Sequence, residues 1–447
     1  MQVFNMRNIL LFFAFIGFLT SCDVLDVEPT NSIPASEAFK TKGDVERGVL
    51  GAYNSLQALS YYGRTYITFS DLASDNYIHP LNATSTEYAE IDNNHILPEN
   101  ASVDGMWTSI YDGLNVANNV ISKIPTLNFL TQEEKNKALG ELYFLRALNH
   151  FNLLNYFGGV PLKLKPTVGL SDINAARNSV DEVYQSIIED LTFASQNLSN
   201  NSSLKNRASQ SAANALLARV YLYKKDYNNA ALYASKVINE GGYSLLDNYG
   251  DIFATDESKE SIFEVDFTPL DRNRIAEYNF PLTKNGRGEV APDPAFVSSY
   301  SPNDTRYAAT FAFSGNVPYV IKYDDLSTGS DNIIVLRLAE MYLIRAEANA
   351  KLNGNPSEIL ADINRVRQRA GLADLTTNNV NELIVAIEAE RRFELAFEGQ
   401  RWFDLVRTGR AIDVLPNVNE NYQLLFPIPQ SELLTNTNPG MKQNPGY

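Results

Sequence analysis

The stretch ERRFELAFEGQR, residues 390–401, places Glu390, Glu394 and Glu398 at intervals of four. Stacked carboxyls are where acid–base chemistry on a sugar would first be sought. A glycosidase, however, needs two carboxyls opposed across its substrate, about 5–9.5 Å apart, rather than aligned along one helix face. Arg391 and Arg401 stand three residues from Glu394 and Glu398, at ion-pair spacing. The pattern therefore predicts a structural network in which these arginines neutralise the acids. His79, His95 and His150 are too few and too scattered for a metal site. There is no nucleophile elbow and no phosphate-cradling glycine loop. No catalysis, metal or cofactor is expected.

The one cysteine, Cys22, has a different kind of chemistry in view. A lone thiol closes no internal disulfide and builds no multi-thiolate site. Upstream, Arg7 supplies a short positive region, and ILLFFAFIGFL (9–19) is an apolar run too short to span a bilayer. Leu19-Thr20-Ser21-Cys22 then resembles a bacterial lipobox. Residues 1–21 read as a lipoprotein signal peptide, Cys22 as the lipidation site, and 22–33 as a short acidic tether. Several acyl chains on one residue anchor firmly where one does not.

Of the 447 residues, 44% are hydrophobic, ample for a large core, and the net charge of −16 argues against nucleic acid as a partner. Helical signals dominate. Thr131 with Glu134, and Ser179 with Glu182, have capping-box spacing at the heads of amphipathic runs. Leu217, Ala218, Tyr221, Tyr227 and Ala230 fall at the offsets of a tetratricopeptide-type hairpin, and 336–372 repeats it more loosely. A last long helix is predicted over 379–409, closing at Gly409. Two stretches, 60–100 and 242–332, lack helical period and read as ordered, functional loops.

Together, ELYFLRALNHFNLLNYFGGVPL, VLRLAEMYLIRAEANAKLNG, ERRFELAFEGQRWFDLVRTGR, FPIPQSEL and the terminal QNPGY resemble the SusD/RagB-like family of Bacteroidetes outer-membrane lipoproteins. They occur in the family's order along the whole mature chain. The resemblance implies a mainly α fold: one integrated domain over 34–447, with a tetratricopeptide-like scaffold and the irregular stretches forming the ligand region. It also implies an outer-membrane, lipid-anchored, surface-exposed protein. Such a protein captures glycan for a SusC-like TonB-dependent transporter, its partner.

Within that reading Trp107 and Trp402 fall on scaffold helices and are expected in the core. Tyrosines then remain to stack on sugar, since each combines an apolar face with a hydroxyl. The expected ligand residues are Arg64, Asp75, Asn76, Tyr77, Tyr278 and Tyr300, with Tyr61, Tyr62, Tyr319 and His79 as further possibilities in the same loops. Two other functions compete. A peptide-capturing protein on this scaffold requires a groove lined with backbone partners, and a hydrolase requires a cleft with opposed carboxyls.

Overall fold

The structure, a computed structural model, describes residues 38–200 and 203–447. The signal peptide, Cys22 and the tether all lie outside the described residues. Scaffold helices are α1 Lys42–Asn54, α2 Thr65–Leu72, α3 Ala101–Lys123, α4 Gln132–Phe157, α5 Val180–Asn197, α6 Gln210–Tyr223 and α7 Tyr227–Glu240. They are followed by α8 Leu338–Lys351, α9 Pro356–Arg369, α10 Val380–Glu394 and α11 Arg401–Thr408. Both predicted capping boxes are present, at Thr131/Glu134 and Ser179/Glu182. Each satisfies two backbone donors that a helix start otherwise leaves orphaned.

From α3 to α8 each helix packs on the next, and α8 then packs on both α9 and α10. Small residues permit the close approach at the α6–α7 hairpin, where Ala212, Ala215, Ala218, Ala230 and Ala234 are wholly buried. The main core runs through all of these helices except α9 and α10, whose apolar stripes instead meet α8 in a second cluster around Ile359, Ile363, Leu383 and Ile387.

The predicted helix over 379–409 is two helices. α10 ends at Glu394 and α11 begins at Arg401, because Phe397 and Gly399 take left-handed backbone conformations (φ 63° and 77°). The buried Asp71 on α2 explains the break. Its carboxylate accepts the backbone N–H groups of Phe397 (3.0 Å) and Gly399 (2.9 Å), and Nδ2 of Asn76 donates to it at 2.7 Å. Burial pushes this carboxyl up to about 6, against those hydrogen bonds. Asp71→Ala strips three buried donors of their acceptor and is expected to cost about 2–4 kcal/mol in urea unfolding; an unchanged midpoint contradicts this account of the break.

The two non-helical stretches hold short elements. β1 Tyr77–Ile78 pairs antiparallel with β3 Ala291–Pro292, which ties the first stretch to the second. β2 Ser261–Val265 pairs with β6 Ile333–Arg337, buried along its whole length, and β6 leads directly into α8. β4 Phe311–Ser314 and β5 Val317–Val320 form a hairpin around Gly315, whose φ is 61°. The reading of 60–100 as a ligand loop needs correction: residues 61–74 are all buried and include α2.

Candidate functional site

The three stacked glutamates are structural, though not through the expected arginines. Glu394, fully buried, receives Nη1 of Arg337 (2.5 Å) and Nη2 of Arg369 on one oxygen and Nη1 of Arg306 (3.2 Å) on the other. Glu398 binds Arg337 at 2.7 Å and Lys322 at 2.8 Å; Glu390 binds Arg306 at 2.6 Å and Arg367 at 3.2 Å. Glu260 and Asp304 complete a cluster in which five carboxylates face five cations. Burial alone would raise the Glu394 carboxyl, but Arg369, Arg337 and Arg306 outweigh it and hold it well below its ordinary range. Arg391 instead pairs with Asp404 on α11 (2.9 Å), and Arg401 with Asp75 (2.7 Å). Both oxygens of Asp304 and of Glu390 are taken by arginine, so no opposed pair of free carboxyls exists here for hydrolysis.

The residues singled out in the sequence fall into three places. Asp75, Asn76 and Tyr77 form a structural node. Asp75 is held by Arg401 and Arg392; Asn76, with no exposed surface, accepts from Nε of Arg392 at 3.0 Å while donating to Asp71. Tyr77, 3% exposed, packs on Phe397 with ring centroids 4.5 Å apart. Its faces are therefore used inside the protein, which corrects the expectation of a stacking platform there. Tyr61 and Tyr62 are likewise core, joined through their hydroxyls to Asn152 of α4.

The second place gathers Arg64 and Tyr278. Arg64 lies 4.3 Å from the Tyr278 ring centre, Arg287 4.8 Å and Arg274 5.6 Å, while Tyr88 stacks on the same ring at 5.6 Å. His79, whose Nδ1 lies 2.8 Å from the Glu289 carbonyl, borders Tyr88 at 6.4 Å.

The third place surrounds Tyr300. The ring, 8% exposed, packs against Phe393 (4.7 Å), Phe296 (5.3 Å) and Phe311 (5.4 Å); burial raises its phenol and keeps it neutral, and its hydroxyl is buried without a partner. One edge opens on a hollow of about 490 Å³ lined by Tyr300, Tyr307, Ser298, Ser301, Asn303 and Thr305. A neighbouring hollow of about 480 Å³ shares Ser301, Asn303 and Asp304 with it and reaches Phe393 and Arg367. Tyr307 is part-exposed, and Phe313 of the β4–β5 hairpin, 43% exposed, tilts toward it at 6.4 Å. Two rings beside a bowl of hydroxyls and amides can hold a sugar face and its polar rim together. Tyr319, on the hairpin's other face, packs edge-on against Phe280 (4.8 Å) away from the hollow.

Tyr307 and Phe313 were missed because neither stands out from the many aromatics of the second stretch. The polar run SPND between Tyr300 and Tyr307, residues 301–304, was the signal available. Elsewhere, a hollow of about 330 Å³ against α1 and α4 is lined by Glu46, Glu133, Glu134 and Glu141 and has no aromatic face. Trp107 borders another, of about 290 Å³, yet is only 3% exposed and gives its indole N–H to Glu432 at 3.3 Å. Trp402 has no exposed surface. Both tryptophans are scaffold, as expected.

Residues 23–222 match the family described as "Starch-binding associating with outer membrane", and residues 317–447 match the "SusD family". The SusD-like protein P2 of Formosa agariphila is 28% identical over 515 residues, covering 100% of both chains. A solved laminarin-binding SusD-like protein superposes with a TM-score of 0.80 at 26% identity, covering 92% of this chain and 100% of its own. A SusD superfamily protein from Bacteroides vulgatus shares the fold with a TM-score of 0.83 at 21% identity, over 91% of this chain and 99% of the other. Similarity of this extent, carried by a mostly helical fold held in common, places the chain in the SusD/RagB-like family of non-catalytic, glycan-binding, outer-membrane-associated proteins.

Proposed function

We propose that this protein is a lipid-anchored surface lipoprotein that captures oligo- or polysaccharide in the Tyr300–Tyr307 hollow and delivers it to a SusC-like TonB-dependent transporter. The hollow carries the proposal: Tyr300 and Tyr307 line it together with side chains whose hydroxyls and amides match a sugar's polar rim, and the exposed Phe313 lies 6.4 Å from Tyr307. The laminarin-binding relative supports a neutral glucan as one class to try. A collector must release its catch, so a Kd of about 10 µM to 1 mM is expected, or about −4 to −7 kcal/mol. A glycan array on the purified protein, followed by calorimetric titration of the hits, tests this. Binding of peptides but of no glycan favours the peptide-capturing alternative.

Anchoring is part of the same proposal and rests on Cys22, which follows the apolar run 9–19. Among the described residues no helix is long and apolar enough to cross a membrane. Cys22→Ser is expected to move the protein from the membrane fraction to the soluble fraction with an unchanged melting temperature. A variant that stays firmly membrane-bound contradicts the anchor.

A further inference from the structure

Among the described residues, the buried arginines form direct ion pairs with acids, with one exception. Arg146 meets Asp190, Arg219 meets Glu340, Arg391 meets Asp404, Arg401 meets Asp75, and Arg306 and Arg337 each meet several carboxylates. Arg64 is 8% exposed, yet it makes no ion pair within 4 Å, and its side chain donates to the hydroxyl of its neighbour Thr65, at 3.1 and 3.4 Å. A guanidinium carries five donors, and burying it without a direct ion pair is costly; Glu87 acts on Arg64 only through its field. The stacked Tyr278 ring compensates in part through its π face, at 4.3 Å. It supplies no acceptor oxygen.

Other cations share this ring. Arg274 and Arg287 approach it with side chains 33% and 44% exposed. Their acids are already engaged. Glu277 is bound by Arg274; Glu289 accepts from Thr84, Ser85 and Arg287; Glu87 accepts from Ser85 and Thr86. The Tyr88 hydroxyl, buried in the same stack, has no partner.

We infer that Arg64, Arg274 and Arg287, gathered on the Tyr278 ring, form an acidic-sugar subsite that takes the carboxylate or sulfate of an anionic glycan. Arginine forks suit both groups, because each offers paired oxygens to parallel N–H donors. The subsite lies on the Tyr319 side of the β4–β5 hairpin, reached through Phe280, whereas the hollow lies on the Phe313 side. The inference rests on the glycan-binding reading and adds a ligand class to it.

The test uses the full protein and three forms of each oligosaccharide: the neutral parent, its C6-oxidised uronate and its sulfated derivative. In calorimetric titrations at low salt, at least one acidic form is expected to bind about tenfold tighter than its parent, with the advantage shrinking toward 0.5 M NaCl as charge is screened. The preferred form identifies which anion is recognised. Arg287→Gln, at a part-exposed position, should remove most of that advantage while the affinity for neutral parents, set by the hollow, stays the same. Arg64→Gln should remove it more completely if its melt is preserved. Neutral parents that bind while neither acidic form gains anything overturn the inference and leave the glycan-binding reading standing. An acidic advantage that survives in Arg287→Gln and a folded Arg64→Gln also overturns it. Failure of every form to bind overturns both.

Discussion

Glu394→Gln lowers the unfolding free energy by about 3–5 kcal/mol, the size of effect seen when one side of a buried ion pair is removed. The amide leaves Arg306, Arg337 and Arg369 facing one another in a site with no exposed side-chain surface on Glu394 and at most 4% on its three partners. One oxygen of Glu394 serves Arg337 and Arg369 together and the other serves Arg306; glutamine supplies no charge to offset them and keeps one acceptor oxygen where the carboxylate has two. Chemical denaturation measures the loss, and a variant as stable as wild type contradicts the network. This cluster and the neighbouring Asp404 pairs set the acid limit. Glu394, Glu398 and Asp404 each have a folded-state pKa below the ordinary one, with Asp404 brought down to about 2 from 3.8 by Arg391 and Arg407 against the pull of burial. The unfolded chain therefore binds more protons as pH falls. Their stabilisation is complete above about 4.5 and is lost on going down toward 2. For Asp404 alone this is about 2 kcal/mol. Asp71 acts in the opposite sense: raised to about 6, it contributes fully below 3.8 and loses that contribution as pH rises through 6.

Trp402→Ala is expected to be as damaging, at about 3–5 kcal/mol, without touching the ligand. The indole is wholly buried beside Phe426, 6.2 Å between ring centres, and its removal leaves a cavity that the short helix α11 cannot close. Its Nε1 has no hydrogen-bond partner, so Trp402→Phe loses packing volume and no polar contact, and should cost far less. Thermal melts compare the two. A Trp402→Ala protein that melts like wild type but no longer binds glycan would place the site on the scaffold.

The scaffold was readable because its signals are local. A capping box or an apolar stripe is complete within a few residues, and Thr131/Glu134 and Ala218/Ala230 do what their spacing says. The split between α10 and α11 was not readable, since it depends on Asp71, more than three hundred residues earlier. Exposure was hidden for the same reason. Tyr77 and Tyr300 look alike in sequence, yet Tyr77 is covered by Phe397 across a long chain separation while Tyr300 keeps one edge on the hollow. The acidic helix was assigned correctly as structural, but its partners come from Arg306, Arg337 and Arg369, which periodicity within one helix cannot reveal.

The central claim is that sugar is held at the hollow beside Tyr300 and Tyr307. One stacked sugar face removes about 40–60 Å² of apolar surface from water, worth about 1–1.5 kcal/mol. Tyr307, part-exposed and bordering that hollow, can be cut back without opening the core. The most direct measurement is calorimetric titration of Tyr307→Ala against the wild type with the tightest-binding glycan from the array, alongside thermal melts of both. The predicted result is about tenfold weaker binding with an unchanged melt. Wild-type affinity in Tyr307→Ala, or loss of binding in Trp107→Ala with an unchanged melt, would contradict the assignment.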